Sequence, residues 1–483
     1  MNVYVINQNI HLQAQPGENL LQVLRRGGVD VEAPCGGGGK CGKCKVWVDG
    51  EEQLACHYIV EKDITVRLPE KKTAEVLTRG LELRVQADGT DRYALAFDLG
   101  TTTVVAYLMD GSTGQILARA SCVNPQSRFG ADVISRIQYA MDGEGEVLSR
   151  CIRDSLAELT CLAAGQAGID PGQITAAALV GNTAMHHLLL GIDPKPLTTP
   201  PYMPSVSEAM TVAADFLPVA PGTALRILPN IAGFVGADTV GCLVATEFDQ
   251  LEDVTLMIDI GTNGEMVLGN RDSYLACSTA AGPAFEGAKI SCGMRGAAGA
   301  VDHVWVENGE VRHSVIGGGE AAGLCGSGLL DLVAVLLQIE EMDETGRLEE
   351  EDYTIPGTTV TLTQKDVREV QLAKAAIRAG IELMCRKRGI APENIQKVYL
   401  AGAFGNFMNP ASACTIGMIP PCLREKIQSI GNAAGTGACA CALSRDAYGY
   451  SSRLAGKAEF LELASMAEFN DCYVDCLLFE EEE

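Results

Sequence analysis

Over the first 68 residues apolar and polar positions alternate with the period of a strand. Val3–Ile6 and Ile10–Gln13 read as two strands across a short Asn-containing turn, and Asn19–Arg26 as a helix closed by Gly27 and Gly28. A Gly- and Cys-rich loop follows at 34–44. Lys45–Val48 is then a strand entering the Asp49–Gly50 turn, and Asp63–Leu68 a closing strand. Residues 69–92 (PEKKTAEVLTRGLELRVQADGTDR) are polar and charged and read as a linker with room for one short strand. If disordered, a linker of that length spans roughly 25–30 Å.

From Tyr93 the pattern changes. ALAFDLGTTTVVAYLMDGSTGQILARAS reads as strand, tight turn, strand, turn, strand. Helices are expected over Val133–Met141 and Glu146–Ala164, and a strand over Ala176–Val180. Near residue 255 the opening pattern returns as TLMIDIGTNGEMVLGNRDSYLACS, with Asp259 standing where Asp98 stood. Each copy has an apolar strand, Asp-x-Gly-Thr, a second strand and a Gly-bearing turn, a duplication at domain scale. Helices at 321–340 and 364–388, a strand at 397–401 and a helix after Gly435 complete the second copy. The expected organisation is a small domain at 1–68, a linker at 69–92, and two halves of a larger domain at 93–252 and 253–483.

Composition narrows the function. The formal net charge of −25 argues against a nucleic-acid partner, since such binding rests on Lys and Arg at phosphates. No stretch of about 18 apolar residues predicts a membrane span, and MNVYVINQNI lacks a signal-peptide pattern. A cytoplasmic location is the expectation. Eighteen cysteines in such a chain point to ligands and small core residues rather than disulfides.

Four of those cysteines carry chemistry. Cys35, Cys41, Cys44 and Cys56 are spaced C-x5-C-x2-C-x11-C. A [2Fe–2S] cluster needs four thiolates, two per iron. The surrounding glycines let a loop wrap a cluster and leave N–H groups free for its sulfurs. Zinc also takes four cysteines, usually as two spaced pairs. Three ligands on one Gly-rich loop favour iron–sulfur. The x5 and x2 spacings resemble plant- and adrenal-type ferredoxins, with a shorter gap to Cys56 than those have. His57 reads as a surface neighbour of the ligands.

The duplicated hairpins carry the second chemistry. Gly100 and Gly261 permit a tight turn against phosphate oxygens. The hydroxyls of Thr101, Thr102, Thr103 and Thr262 and the backbone N–H groups around Asn263 can donate to them. Asp98 and Asp259 can face Mg2+ from either side, a cation that takes one or two carboxylates with water and phosphate oxygens.

Here the chain resembles the actin, Hsp70 and sugar-kinase (ASKHA) superfamily, whose five motifs can be sought in order. Asp98–Thr103 and Asp259–Glu265 resemble its two phosphate motifs. VGNTAM, with Gly181 and Asn182, resembles the first connecting motif. LAGAFGNF, with Gly402, Ala403, Phe404 and Gly405, resembles the adenosine motif, and GTGA at Gly435 the second connecting motif. Taken singly, the last three are better explained by helix–strand packing of small residues; the five in order carry the resemblance. The implied fold is an α+β ferredoxin-like (β-grasp) domain joined to a duplicated, RNase H-like α/β domain.

A narrower resemblance, to reductive activators of corrinoid-dependent enzymes, covers nearly the whole chain. It rests on NPQSRFGADVISRI (124–137), GNTAMHHLLLGIDP (181–194), GPAFEGAKISCGMRGAAGA (282–300) and GLCGSGLLDL (323–332). It implies ATP-dependent delivery of one electron from the cluster to a corrinoid protein of a methyltransferase system, returning Co(II) to Co(I). The chain looks shorter than the best-known members and is expected to lack a middle domain they carry. Cys472 and Cys476 are too few for a further cluster and read as core residues. No dinucleotide-binding motif follows a strand, so an external protein must supply the electron. A homodimer is compatible with the sequence. The alternatives are an ATP-driven donor to another low-potential metalloenzyme, a small-molecule kinase with an added ferredoxin module, and a non-catalytic iron–sulfur scaffold.

Overall fold

The computed structural model describes every residue except 30, 32, 34–36, 38, 40–43, 70–79, 90, 131 and 480–483, together with the side chain of Ala403 left out. Cys35, Cys41, part of the expected linker and the acidic tail therefore lie outside the described residues.

Five N-terminal strands form one sheet, in the spatial order Ile10–Gln13, Asn2–Val5, Ile64–Arg67, Lys45–Val48, Glu51–Leu54. The two central strands come from the ends of the segment and pair parallel, Val3 opposite Ile64. Alternation puts Val3, Val5, Val46, Val48, Ile64 and Val66 on one face. The helix Leu20–Arg26 covers that face with Leu20, Leu21, Val23 and Leu24. Asn19 starts it, its side chain accepting from the Leu21 amide. This is the β-grasp arrangement expected.

The larger part contains two six-stranded sheets built alike. In the first the order is Ile116–Val123, Thr103–Asp110, Tyr93–Leu99, Ile174–Gly181, Ala224–Ile227, Met210–Ala213. In the second it is Tyr274–Thr279, Gly264–Gly269, Thr255–Ile260, Lys397–Ala401, Ile427–Gly431, with Ala458–Phe460 added beyond Tyr274–Thr279. Each begins as an antiparallel meander of three strands, and a parallel strand then pairs with its first member. The register sets Asp98 opposite Val180 and Asp259 opposite Ala401. Both aspartates thus sit near the carboxyl ends of parallel strand pairs, where ligands of open α/β sheets bind.

Two helices of small residues, Ala237–Ala245 and Ala433–Leu443, lie in the apolar core that joins the halves. They approach so closely that a side chain on Gly437 would collide with the Gly241 carbonyl. The two helices expected near 133–164 meet at a kink in the turn Ala140–Glu144, where Gly143 takes the non-helical φ 101°.

One expectation needs correction. The stretch 69–92 is not all linker. Leu81, Leu83, Val85 and Ala87 pack against the core shared by the two halves. The Asp88 amide donates to the Leu443 carbonyl at 3.0 Å, and Gly80 bridges Gly431. Apolar residues at every second position form a strand-like face, and the charged residues between them face water.

Candidate functional site

Asp98 and Asp259 end the first strands of the two meanders and face the cleft between the halves. Two further carboxylates join them: Asp238, in the first turn of Ala237–Ala245, and Glu265, on the strand after the second turn. Among the described residues no Lys or Arg pairs with any of the four. Burial raises the acid pKa of Asp98 to about 6, opposed by the amide of Asn432, which donates to its Oδ2 at 2.7 Å. Burial, then the charge of Asp98, holds Asp259 at about 6. Burial and the neighbouring Asp259 raise Asp238 to about 7. Burial, Asp238 and Asp259 push Glu265 well above the usual carboxylate range. Desolvated like charges with no basic partner among the described residues favour a cation between them. That suits Mg2+, which borrows one or two carboxylates and completes its shell with water and phosphate.

This arrangement weakens the protein when it is empty. Replacing Asp238 by Asn removes one of the repelling carboxylates. The apo protein should gain on the order of 1 kcal/mol at pH 8, where that carboxylate is otherwise charged beside Asp259. Thermal melting without metal checks this, and an unchanged or lower Tm contradicts it.

The two hairpin turns occupy equivalent places, the first one residue longer than the second. The Gly100 amide donates to the Thr103 carbonyl and the Gly261 amide to the Asn263 carbonyl, both at 2.9 Å. Across the cleft Glu286 joins them: Thr102 Oγ1 donates to one of its carboxylate oxygens at 2.9 Å and Thr262 Oγ1 to the other at 2.6 Å. A tetrahedral phosphate offers oxygens at a similar spacing. The two turns therefore present hydroxyls that converge on an anion, and Glu286 holds them in its place.

Of the remaining expected residues, Asn182 caps Thr183–Leu190 through the Met185 amide and donates to Thr101 Oγ1 at 2.8 Å, steadying the first turn. Asn263 hydrogen-bonds Glu265. Gly402 begins the helix Gly402–Phe407 with φ 80°, and a side chain there would reach within 2.5 Å of Asp259 Oδ1, so only glycine lets that helix start beside the carboxylate. Phe404 stacks on Phe285 at 4.7 Å, beside Glu286. Gly181, Gly405 and Gly435, expected as nucleotide contacts, are buried. They allow close packing against Leu99, Leu400 and Tyr107 respectively. Asp238, Glu286 and Asn432 were not foreseen.

In the small domain Cys44 is buried and Cys56 half-buried. The Cys56 amide donates to Cys44 Sγ at 3.5 Å and the Ala55 amide to the Cys44 carbonyl at 2.8 Å. An N–H aimed at a cysteine sulfur is the support a cluster thiolate uses. Gly37 and Gly39 take φ of 103° and 72°, which curls the loop, and the exposed ring of His57 lies against Gly39. These features fit a cluster held by Cys44 and Cys56 with two further cysteines of that loop. Cys472 and Cys476 instead pack against the core of the second half.

A family model described as the C-terminal domain of RACo, the ASKHA domain, matches residues 253–483. One described as the RACo middle region matches 93–251, and a 2Fe-2S iron-sulfur cluster binding domain matches 3–65. That middle region coincides with the first half of the larger domain. The corrinoid activation enzyme RamQ of Eubacterium limosum is 37% identical over 418 residues, covering 80% of this chain and 70% of that protein. A reductase of Methanosarcina barkeri named for the Co(II) methylated amine-specific corrinoid protein is 26% identical over 79% of this chain and 76% of its own length. The solved structure of a reductive activator for corrinoid, iron-sulfur protein overlays 99% of this chain and 98% of its own, with TM-score 0.73 and 28% identity. Among the described residues no helix is long and apolar enough to cross a membrane.

Proposed function

The chain belongs to the family of reductive activators of corrinoid proteins, and from that premise we propose that it uses Mg-ATP to deliver one electron from its [2Fe–2S] cluster to a corrinoid protein, returning Co(II) to Co(I). The observation that carries this reading is the joining, in one chain, of a cysteine loop suited to a one-electron cluster and a two-sided acidic cleft suited to a metal–nucleotide. Cys35, Cys41, Cys44 and Cys56 hold the cluster, which supplies the one-electron couple. Thr101, Thr102, Thr103 and Thr262 donate to the phosphates, with Asn182 steadying Thr101. Asp98 and Asp259 bind Mg2+ directly or through water, and Asp238 and Glu265 add negative field. Glu286 gives up its two hydroxyls to the nucleotide. A cluster held there would supply the single electron that Co(II) takes up, and an external electron donor would have to replace it.

The energetics decide what ATP must do. Clusters of the plant type sit near about −400 mV. A conformational coupling of ~1–3 kcal/mol moves a one-electron transfer by roughly 40–130 mV. A larger gap requires ATP turnover, or removal of Co(I) by methylation in a methyltransferase system. The test is anaerobic: the reduced protein with Mg-ATP is mixed with a Co(II) corrinoid protein, and Co(I) absorption is followed. Co(I) should appear. Reduction of another low-potential metalloenzyme, with no corrinoid protein reduced, favours the alternative donor role.

The metal assignment has a pH signature. Asp98 and Asp259 titrate near 6 and Asp238 near 7, above the unfolded value of about 3.9. Their raised pKa values favour the apo fold below pH about 4, and that contribution is lost as pH rises through 6–7. Mg2+ binds the charged form, so its effect runs the other way. The rise in Tm on adding Mg2+ and nucleotide should be larger at pH 8 than at pH 5.5, as thermal melts will show. An equal rise at both would remove these carboxylates from the metal site.

A further inference from the structure

The segment Gly80–Asp88 connects the cluster domain to the nucleotide domain, and its first residues touch the nucleotide site. Gly80 pairs antiparallel with Gly431 and lies so close to the Asn432 carbonyl and Thr436 Oγ1 that any side chain would collide with both. Thr436 Oγ1 donates to the Leu81 carbonyl at 3.4 Å. Asn432 is 8% exposed and makes two further contacts. Its Oδ1 accepts from the Gly435 amide at 2.6 Å, capping Ala433–Leu443, and its Nδ2 donates to Asp98 Oδ2 at 2.7 Å. Metal-facing carboxylate, Asn432, Gly80 and the chain toward the cluster are thus consecutive contacts.

The rest of the segment lies along the same helix. Leu81, Leu83, Val85 and Ala87 face the core. Asp88 closes the far end on the Leu443 carbonyl and on the Arg445 amide, at 3.0 and 3.1 Å. Beneath the near end is a cavity of 260 Å³ bounded by Gly80–Leu83, Tyr107, Arg119, Thr436 and Cys439. The buried Tyr107 hydroxyl has no partner among the described residues. A slide of one residue would turn every apolar side chain outward, so the segment is either seated or released. The cavity and the unpartnered hydroxyl mark the near end as its loosest point.

Resting on the proposed function, we propose that Gly80–Asp88 is the strap that carries nucleotide state to the cluster domain, with Asn432 as the positioning residue that reads Asp98. A cation and nucleotide at Asp98 draw on the carboxylate that Asn432 holds. The Gly431–Thr436 turn then shifts, and with it the seat of Gly80 and Leu81.

Hydrogen exchange of the full-length protein tests this without any corrinoid partner. Mg-AMPPNP, at a concentration shown by calorimetry to saturate the chain, should change exchange over residues 80–89 by about 5-fold or more, the low end of ordinary coupling between sites. Asn432→Ser keeps a capping oxygen but is too short to reach Asp98. It should leave resting exchange unchanged and lose the nucleotide response. Gly80→Ala unseats the near end. It should shift Mg-AMPPNP affinity by no more than that coupling, about 5-fold, and leave the cluster spectrum unchanged, while residues 80–89 exchange fast in both states. Nucleotide that binds without altering residues 80–89 overturns the strap alone, as does an Asn432→Ser variant with the full response. Nucleotide that does not bind at all overturns the proposed function, and the strap with it.

Discussion

Replacing Cys44 by alanine should leave a protein that binds ATP and delivers no electron. Cys44 is 1% exposed and sits on the small domain's core, where its sulfur receives the Cys56 amide. Alanine keeps the backbone and most of the packing, so loss of the sulfur costs the fold about 1 kcal/mol. It costs the cluster one of four thiolates, and three do not satisfy two tetrahedral irons. The visible bands and the reduced-state EPR signal should vanish, with Co(I) formation at background. Mg-ATP binding, seated in a different part of the chain, should change less than about twofold, as expected for sites far apart. A variant that retains a two-iron cluster and full transfer would remove Cys44 from the ligand set.

Asp259→Asn should have the complementary effect. Asp259 faces the cleft at the end of its strand, opposite Ala401, with Gly402 against its carboxylate. Asparagine preserves the shape and removes the charge that attracts the cation. Metal-assisted stabilisation of a phosphoryl group is worth several kcal/mol, so ATP turnover should fall on the order of 10²-fold or more. The cluster spectrum should stay as in the parent protein. The apo variant should also melt higher, because one of the repelling carboxylates is gone. Wild-type hydrolysis in Asp259→Asn would show that the metal sits elsewhere.

The two chemistries were legible because each is written locally. The cysteine spacing lies within 22 residues, and each Asp-x-Gly-Thr turn sits between apolar strands whose alternation predicts the hairpin. Their duplication is matched by the two like sheets found. The partners that complete the cleft are long-range. Glu286 meets Thr102 across 184 positions, and Asn432 meets Asp98 across 334. No local period signals such meetings. Glu286 fell within a stretch noted for family likeness, with nothing to set it apart from its neighbours. Asp238 stands after Gly236 at the start of an apolar helix, where a single acid reads as an ordinary helix start. The strap is the instructive case. Leu81, Leu83, Val85 and Ala87 do alternate, but Glu82, Arg84 and Gln86 between them made the stretch read as solvated. That is how an extended segment with one wet face looks. Its seating fixes the chain as far as Gly80, so a freely swinging connection of 24 residues is excluded.

The central claim is that nucleotide governs electron delivery from the cluster to cobalt. The most direct measurement is anaerobic and spectrophotometric. Protein with its cluster fully reduced is mixed with a Co(II) corrinoid protein, and the yield of Co(I) is recorded with Mg-ATP, with Mg-ADP and without nucleotide. The account predicts little Co(I) without nucleotide or with ADP and a rise by about 5-fold or more with Mg-ATP, abolished in Cys44→Ala. Equal Co(I) in all three conditions would contradict it.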